Sequence, residues 1–178
     1  MARAFSPRPV VRLAPSIVLL TITVTLFAAC AESPGVTRTP TPEVAPVTFA
    51  TTTIRIEASP APRSIDVEVA TTAAQSERGL GYRDSLGTDA GMIFDLHTTT
   101  RPTFWMKGMR IPLDMVWIGE DKRVAGVAAN VAPQPGVADD QLRRYSSDTP
   151  VRYVLELNAG AAARLGLAPG TQLAFALP

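Results

Sequence analysis

From about residue 50 onward the chain repeats one pattern, short apolar runs of period two that are each cut off by Gly, Pro, Asp or Asn. Ile54 and Ile56 alternate with Arg55 and Glu57, and Ile65, Val67 and Val69 alternate with Asp66 and Glu68. Side chains of an extended strand point to opposite faces in turn, so this alternation buries one face and wets the other. A Pro-containing turn over 58–63 joins the two runs into an antiparallel hairpin. Further runs follow at 92–94, 103–107, 113–118, 123–129, 152–157 and 172–176, with a hairpin turn at Gly119-Glu120-Asp121-Lys122. Helical signals occur in two short places. Thr72-Ala73-Ala74-Gln75 has the capping-box spacing, in which hydroxyl and amide side chains satisfy the first free backbone N–H groups, and Gly79 is a natural stop. A second helix is expected over 159–165, with Asn158 as N-cap and Gly166 as its end. Residues 133–148 show no periodicity and read as a long surface loop. The expectation is one α+β domain over 50–178: β-rich, with about seven short, mainly antiparallel and sequentially paired strands, two short helices, and a sheet able to curl into a small barrel.

The segment before this domain is of a different kind. Arg3, Arg8 and Arg12 precede any acid, and residues 13–29 carry no charge. A basic stretch followed by an apolar run shorter than the ~20 residues of a spanning helix reads as a signal peptide over 1–29. Its end, Phe27-Ala28-Ala29-Cys30, resembles a lipobox, in which the Cys is lipidated and becomes the new N-terminus, although Phe27 stands where Leu is commoner. An uncleaved signal anchor is the other reading. Over 30–49, Pro34, Pro40, Pro42 and Pro46 alternate with Thr and small residues, a composition that favours extended backbone and makes a semi-stiff tether. The expected product is an exported, extracytoplasmic protein held at a bacterial membrane by acyl chains on Cys30.

Composition then removes whole classes of chemistry. One Cys and one His cannot make an internal disulfide, a multi-Cys zinc site or a metal centre built on His pairs or triads. With Cys30 acylated, thiol nucleophiles are excluded too. Loss of Arg3, Arg8 and Arg12 turns a formal charge of +1 into −2, so no basic excess points to nucleic acid. Phosphate loops, dinucleotide fingerprints and the Gly-Xaa-Ser-Xaa-Gly motif are absent. His97, among Thr98, Thr99 and Thr100, reads as a solvated loop residue, and Arg143-Arg144, balanced by Asp139 and Asp140, as a solvated surface. No metal or cofactor is expected.

Six blocks occur in order: Val67-Glu68-Val69-Ala70, Glu77-Arg78-Gly79-Leu80-Gly81-Tyr82-Arg83, Gly91-Met92-Ile93-Phe94, Phe104-Trp105-Met106-Lys107, Ile111-Pro112-Leu113-Asp114 and Val154-Leu155-Glu156-Leu157-Asn158-Ala159-Gly160. This series resembles the domain of unknown function 192 family over roughly residues 64–177. The resemblance implies a compact, β-rich, often exported domain and no established reaction. Two departures stand out. Gly81 occupies a place where the family usually has Met, and Gly108-Met109 a place where Asn-Thr usually follows the Lys.

Within these blocks Trp105 and Lys107 would share one face of an extended strand and Phe104 and Met106 the other. Trp105 is then either a packing anchor or the wall of a shallow site, with Lys107 as its charge. Asp114 and Glu156 sit in strongly apolar runs, where an unpartnered buried carboxylate costs several kcal/mol, so each is expected to face water or to pair with Arg83 or Lys107. The expected binding surface comprises Arg83, Trp105, Lys107, Asp114 and Glu156. It would serve an envelope ligand or protein partner. An envelope hydrolase using Asp114 and Glu156 as acid and base, and a purely structural envelope component, are the alternatives.

Overall fold

The computed structural model of the protein describes residues 46–58 and 61–178; the expected signal peptide, Cys30 and most of the tether lie outside the described residues. The alternating runs form the strands β1 (Ala50–Glu57) and β2 (Arg63–Ala70), paired antiparallel with Ile54 opposite Ile65. After α1 (Ala73–Arg78) come β3 (Ala90–Thr100), the two-residue β4 (Thr103–Phe104), β5 (Leu113–Ile118) and β6 (Val124–Val131). The chain continues through the equally short β7 (Tyr145–Ser146), β8 (Val151–Asn158), α2 (Ala161–Leu165) and β9 (Gln172–Ala174). Seven strands make one sheet in the order β6-β5-β8-β3-β2-β1-β9, and β4 with β7 makes a separate two-stranded ribbon. The sheet curls into a half-barrel until its outer strands meet again. Arg123 bridges Gln172, the Val124 N–H donates to the Thr171 carbonyl at 2.9 Å, and the Leu173 N–H donates to Lys122 at 2.9 Å.

Pairing departs from simple sequential, antiparallel order in three ways, one of them the pairing of β9 with β1. β2 and β3 run parallel, because the segment carrying α1 returns the chain to the end of the sheet where β2 began. β8 is inserted between β5 and β3. Hydrophobicity explains the insertion. Every residue of β5 is buried, as are four consecutive residues of β8, whereas β1 and β2 alternate wet and dry. Strands that are apolar on both faces belong at the centre, with half-wet strands outside. β3 and β8 also approach closely at Gly91, where a Cβ would lie 2.6 Å from the Glu156 carbonyl oxygen.

The two faces of these central strands bury two cores. Inside the curl, Ile54, Ile56, Val67, Ile93, Val116, Leu155 and Leu157 pack with α2 and Phe175. On the outer face, Leu80, Met92, Phe94, Met106, Met115, Trp117 and Val154 form the second core. It is covered by the chain between α1 and β3 and by the chain between β3 and β5. Part of the expected surface loop belongs to this cover, since β7 pairs with β4.

α1 starts as its sequence predicts: the Gln75 N–H donates to Thr72 Oγ1 at 3.2 Å and the Thr72 N–H donates to Gln75 Oε1 at 3.1 Å. α2 does not. Gly160, at φ 80°, is its N-cap and makes no side-chain bond, while Asn158 Nδ2 donates to the carbonyls of Leu86 and Gly87. The missing cap comes from a distant strand. Asp114, fully buried in β5, accepts from the Ala162 N–H at 2.9 Å and from the Asn130 N–H of β6 at 2.7 Å. Asp114 therefore pairs with neither Arg83 nor Lys107, because two backbone donors already satisfy it. Each hydrogen bond to a charged acceptor contributes about 1.5–3 kcal/mol, so Asp114→Ala should lower the unfolding free energy by on the order of 3 kcal/mol in urea denaturation. Asp114→Asn, which keeps one acceptor, should lose about half of that.

Candidate functional site

Strand geometry ends at Phe104, yet the alternation expected for 104–107 persists in the irregular chain beyond it. Met106 is buried, whereas Trp105 is 44% exposed and Lys107 is also exposed. Trp105 is thus not a packing anchor. One face of its ring carries the Arg144 guanidinium, 4.3 Å from the ring centroid, and Arg144 Nη2 donates to the Asp139 carbonyl. Lys107 Nζ donates to Asp139 Oδ2 at 2.6 Å, and this bond raises the lysine pKa above its usual value. Arg144, expected as a solvated surface residue balanced by Asp139 and Asp140, is exposed and also helps fasten the loop over 133–148 to the segment bearing Trp105.

Between that segment, α1 and the outer face of the sheet lies a cavity of about 560 Å³. Leu80, Phe94, Leu96, Phe104 and Met109 supply most of its apolar wall, and Glu77, Arg78, Trp105 and Lys107 also line it. Phe104 is held edge-on between Phe94, at 5.1 Å, and Trp117, at 5.8 Å. Both departures from the family pattern fall on this wall: Gly81 and Met109 line the cavity. Gly108, at φ 67°, lies so close under Tyr82 that a Cβ would sit 2.8 Å from its Cζ.

Glu156 also lines the cavity. In β8 it stands between Met92 of β3 and Met115 of β5, and only 5% of its surface remains exposed. No ion pair or side-chain hydrogen bond to Glu156 occurs among the described residues, and burial alone pushes its carboxyl up to about 8. At neutral pH the side chain is therefore mainly a protonated acid, a hydrogen-bond donor at the base of an apolar groove.

The structure brings Trp105, Lys107 and Glu156 to one cavity and leaves Arg83 and Asp114 elsewhere. Arg83 makes a bidentate ion pair with Glu68 of β2, at 2.7 and 2.6 Å, which raises its pKa further. Asp114 lies opposite Leu157 in the pairing of β5 with β8, and Glu156 lies opposite Met115. The period of two puts these acids on opposite faces of the sheet. They cannot act on one bond as an acid/base pair. His97, at φ 59°, sits in the irregular part of β3 with Nε2 2.6 Å from the Thr71 carbonyl oxygen, and it does not line the cavity. Among the described residues no cluster of three or more His, Cys, Asp or Glu could hold a metal ion. Sequence reasoning missed Glu77, Leu80, Phe94 and Phe104 as site residues. The first three stood in the family-like blocks around α1 and β3, and the signal to use was their convergence with the Trp105 block, which only the topology supplies.

A family model described as DUF192, Uncharacterized ACR, matches residues 54–175. The chain belongs to the DUF192 family. Two solved structures are similar to it. One, described as a "putative transcription regulator" from Sinorhizobium meliloti 1021, is 35% identical with a TM-score of 0.66, over 73% of this chain and 97% of that one. The other, a protein of unknown function from Novosphingobium aromaticivorans DSM 12444, is 34% identical with a TM-score of 0.62, over 68% of this chain and 83% of that one. Comparison with curated proteins gives no match.

The raised pKa of Glu156 in this DUF192 domain carries a stability cost with a definite sign. The unfolded chain releases the proton near pH 4.5, while the folded chain holds it to about 8. Over that window the folded state binds more protons, so stability falls as pH rises. Glu156→Gln should therefore match wild type near pH 4.5 and exceed it near pH 7 by on the order of 3 kcal/mol, measured by urea unfolding across the range.

Proposed function

We propose that this DUF192 protein is a ligand-binding component of the cell envelope: exported by the signal over 1–29, anchored through lipidated Cys30, and carried on the tether over 30–49. The groove walled by Trp105, Lys107 and Phe104 is its binding site. One observation supports this reading above the others. A carboxyl without a protein partner is kept at the base of an apolar cavity, where it lowers the stability of the fold. Such residues are retained where a ligand, rather than the protein, completes them.

The hydrolase reading lacks its pair of acids. Ser147, buried and donating to the Thr149 carbonyl, is tied up locally, and His97 is not beside it in any hydrogen bond among the described residues. A nucleic-acid partner, which the description of the S. meliloti relative would suggest, is disfavoured by charge. Arg83, Lys107, Arg110, Arg152 and Arg164 are each paired with an acid. Too little unbalanced positive charge remains to neutralise a phosphate backbone.

Native mass spectrometry of the full chain, purified from cells that export it, should find a small molecule retained by wild type and lost from Trp105→Ala. Because Trp105 is exposed, that variant should keep its circular dichroism spectrum and melt within a few degrees of wild type. A wild-type protein with no bound molecule, or a variant that retains it, would count against the groove. The anchor is tested separately. Cys30→Ser should leave the precursor uncleaved and abolish incorporation of labelled fatty acid, and normal processing of the variant would sink the lipoprotein reading.

A further inference from the structure

The four ionisable side chains lining the groove, Glu77, Arg78, Lys107 and Glu156, cancel in number and not in availability. Both cations are engaged elsewhere. Arg78 stacks on Tyr82, 5.1 Å from the ring centroid, and Lys107 is bonded to Asp139 at 2.6 Å. Neither acid has an ion-pair partner among the described residues. The remaining walls include three aromatic rings, Phe94, Phe104 and Trp105. Aromatic faces attract cations through the ring quadrupole, and a carboxylate already removed from water gains more from an ion pair than an exposed one does.

We propose that the groove binds an organic cation, its ammonium group seated against the Glu156 carboxylate and its apolar stem against Phe94, Phe104 and Leu80. This rests on the groove being a ligand site and adds the chemical class of the ligand. An anion of the same shape could accept a hydrogen bond only from the protonated Glu156, and it would face Glu77 across the groove. A neutral alcohol would fill the volume without forming an ion pair with either acid. The volume, about 560 Å³, accommodates a small molecule with an apolar body.

Proton balance distinguishes these cases. The free carboxyl is protonated below about pH 8, so pairing with an ammonium expels one proton to solvent while the ammonium keeps its own. The charged groups facing the cavity are Glu77 and Arg78 from α1 and Lys107 from the segment after β4; β3 and β5 place the uncharged Met92 and Met115 beside Glu156. Affinity for a cation should then rise about tenfold per pH unit below the carboxyl pKa.

The test is calorimetric titration of the full chain, in non-ionic micelles with protein-free micelles as blank, using benzylammonium, benzyl alcohol and benzoate at pH 6, 7 and 8. Benzylammonium should bind best, tighten about tenfold from pH 6 to pH 7, and release close to one proton as judged from buffers of different ionisation heat. Glu156→Gln should remove the pH dependence, and Glu77→Gln should weaken binding severalfold without removing it. Benzyl alcohol binding as tightly as benzylammonium, or an affinity that is flat or falls with pH, would overturn the cation and leave the groove a ligand site. Silence toward benzylammonium would overturn it as well. In that case a small molecule retained in native mass spectra preserves the binding reading, and its absence removes both.

Discussion

The strands at the middle of the sheet have no wet face. β5, β8 and the first half of β3 are covered inside by the core of the curl and outside by the chain that folds over them. Any polar side chain there must find a partner within the protein or be costly. Asp114 finds two backbone donors and becomes the clamp that joins β5, β6 and α2. Glu156, on the opposite face, finds none among the described residues and opens onto a cavity instead. The same constraint yields one acid tied to the backbone of two neighbouring elements and another left facing a cavity.

How far this could be read from the sequence depended on the range of the interaction. The hairpin of β1 and β2, the capping box of α1 and the glycine stops are local, and the alternation of Ile54, Ile56, Ile65, Val67 and Val69 and the Thr72/Gln75 spacing announced them. The continuous apolar runs of β5 and β8 marked buried strands, but nothing local says which strand each pairs with, so the insertion of β8 between β5 and β3 was invisible. Asn158 looked like a helix cap because it is the right residue type just before a helical pattern. The true cap is 48 residues away at Asp114, and no short-range rule could find it. Of the five residues expected to form a binding surface, Trp105, Lys107 and Glu156 line one cavity, while Arg83 and Asp114, from the same motifs, are tied to Glu68 and to backbone donors elsewhere.

The outer wall of the groove is built differently from its floor. The floor is central sheet. The wall rests on a two-residue strand pair, β4 with β7, and on side-chain contacts of Trp105 with Arg144 and of Lys107 with Asp139. Exposed ion pairs and stacks of this kind are each worth little, so these side-chain contacts add little to what holds the wall in place. Gly81 and Met109, from the two places where the chain departs from the family pattern, line the groove.

The closure of the curl has a consequence for the order of synthesis. β1, the first strand, pairs with β9, the last, and the bridge between Arg123 and Gln172 ties that same final strand to the opposite edge. As the chain emerges from the ribosome, the hairpin of β1 and β2 can form early, but one edge of β1 stays unpaired until residues 172–174 appear. Completion of the sheet is thereby a late event, timed by the last strand rather than by the first helix, and a nascent chain stalled short of it would carry an open strand edge available to other chains.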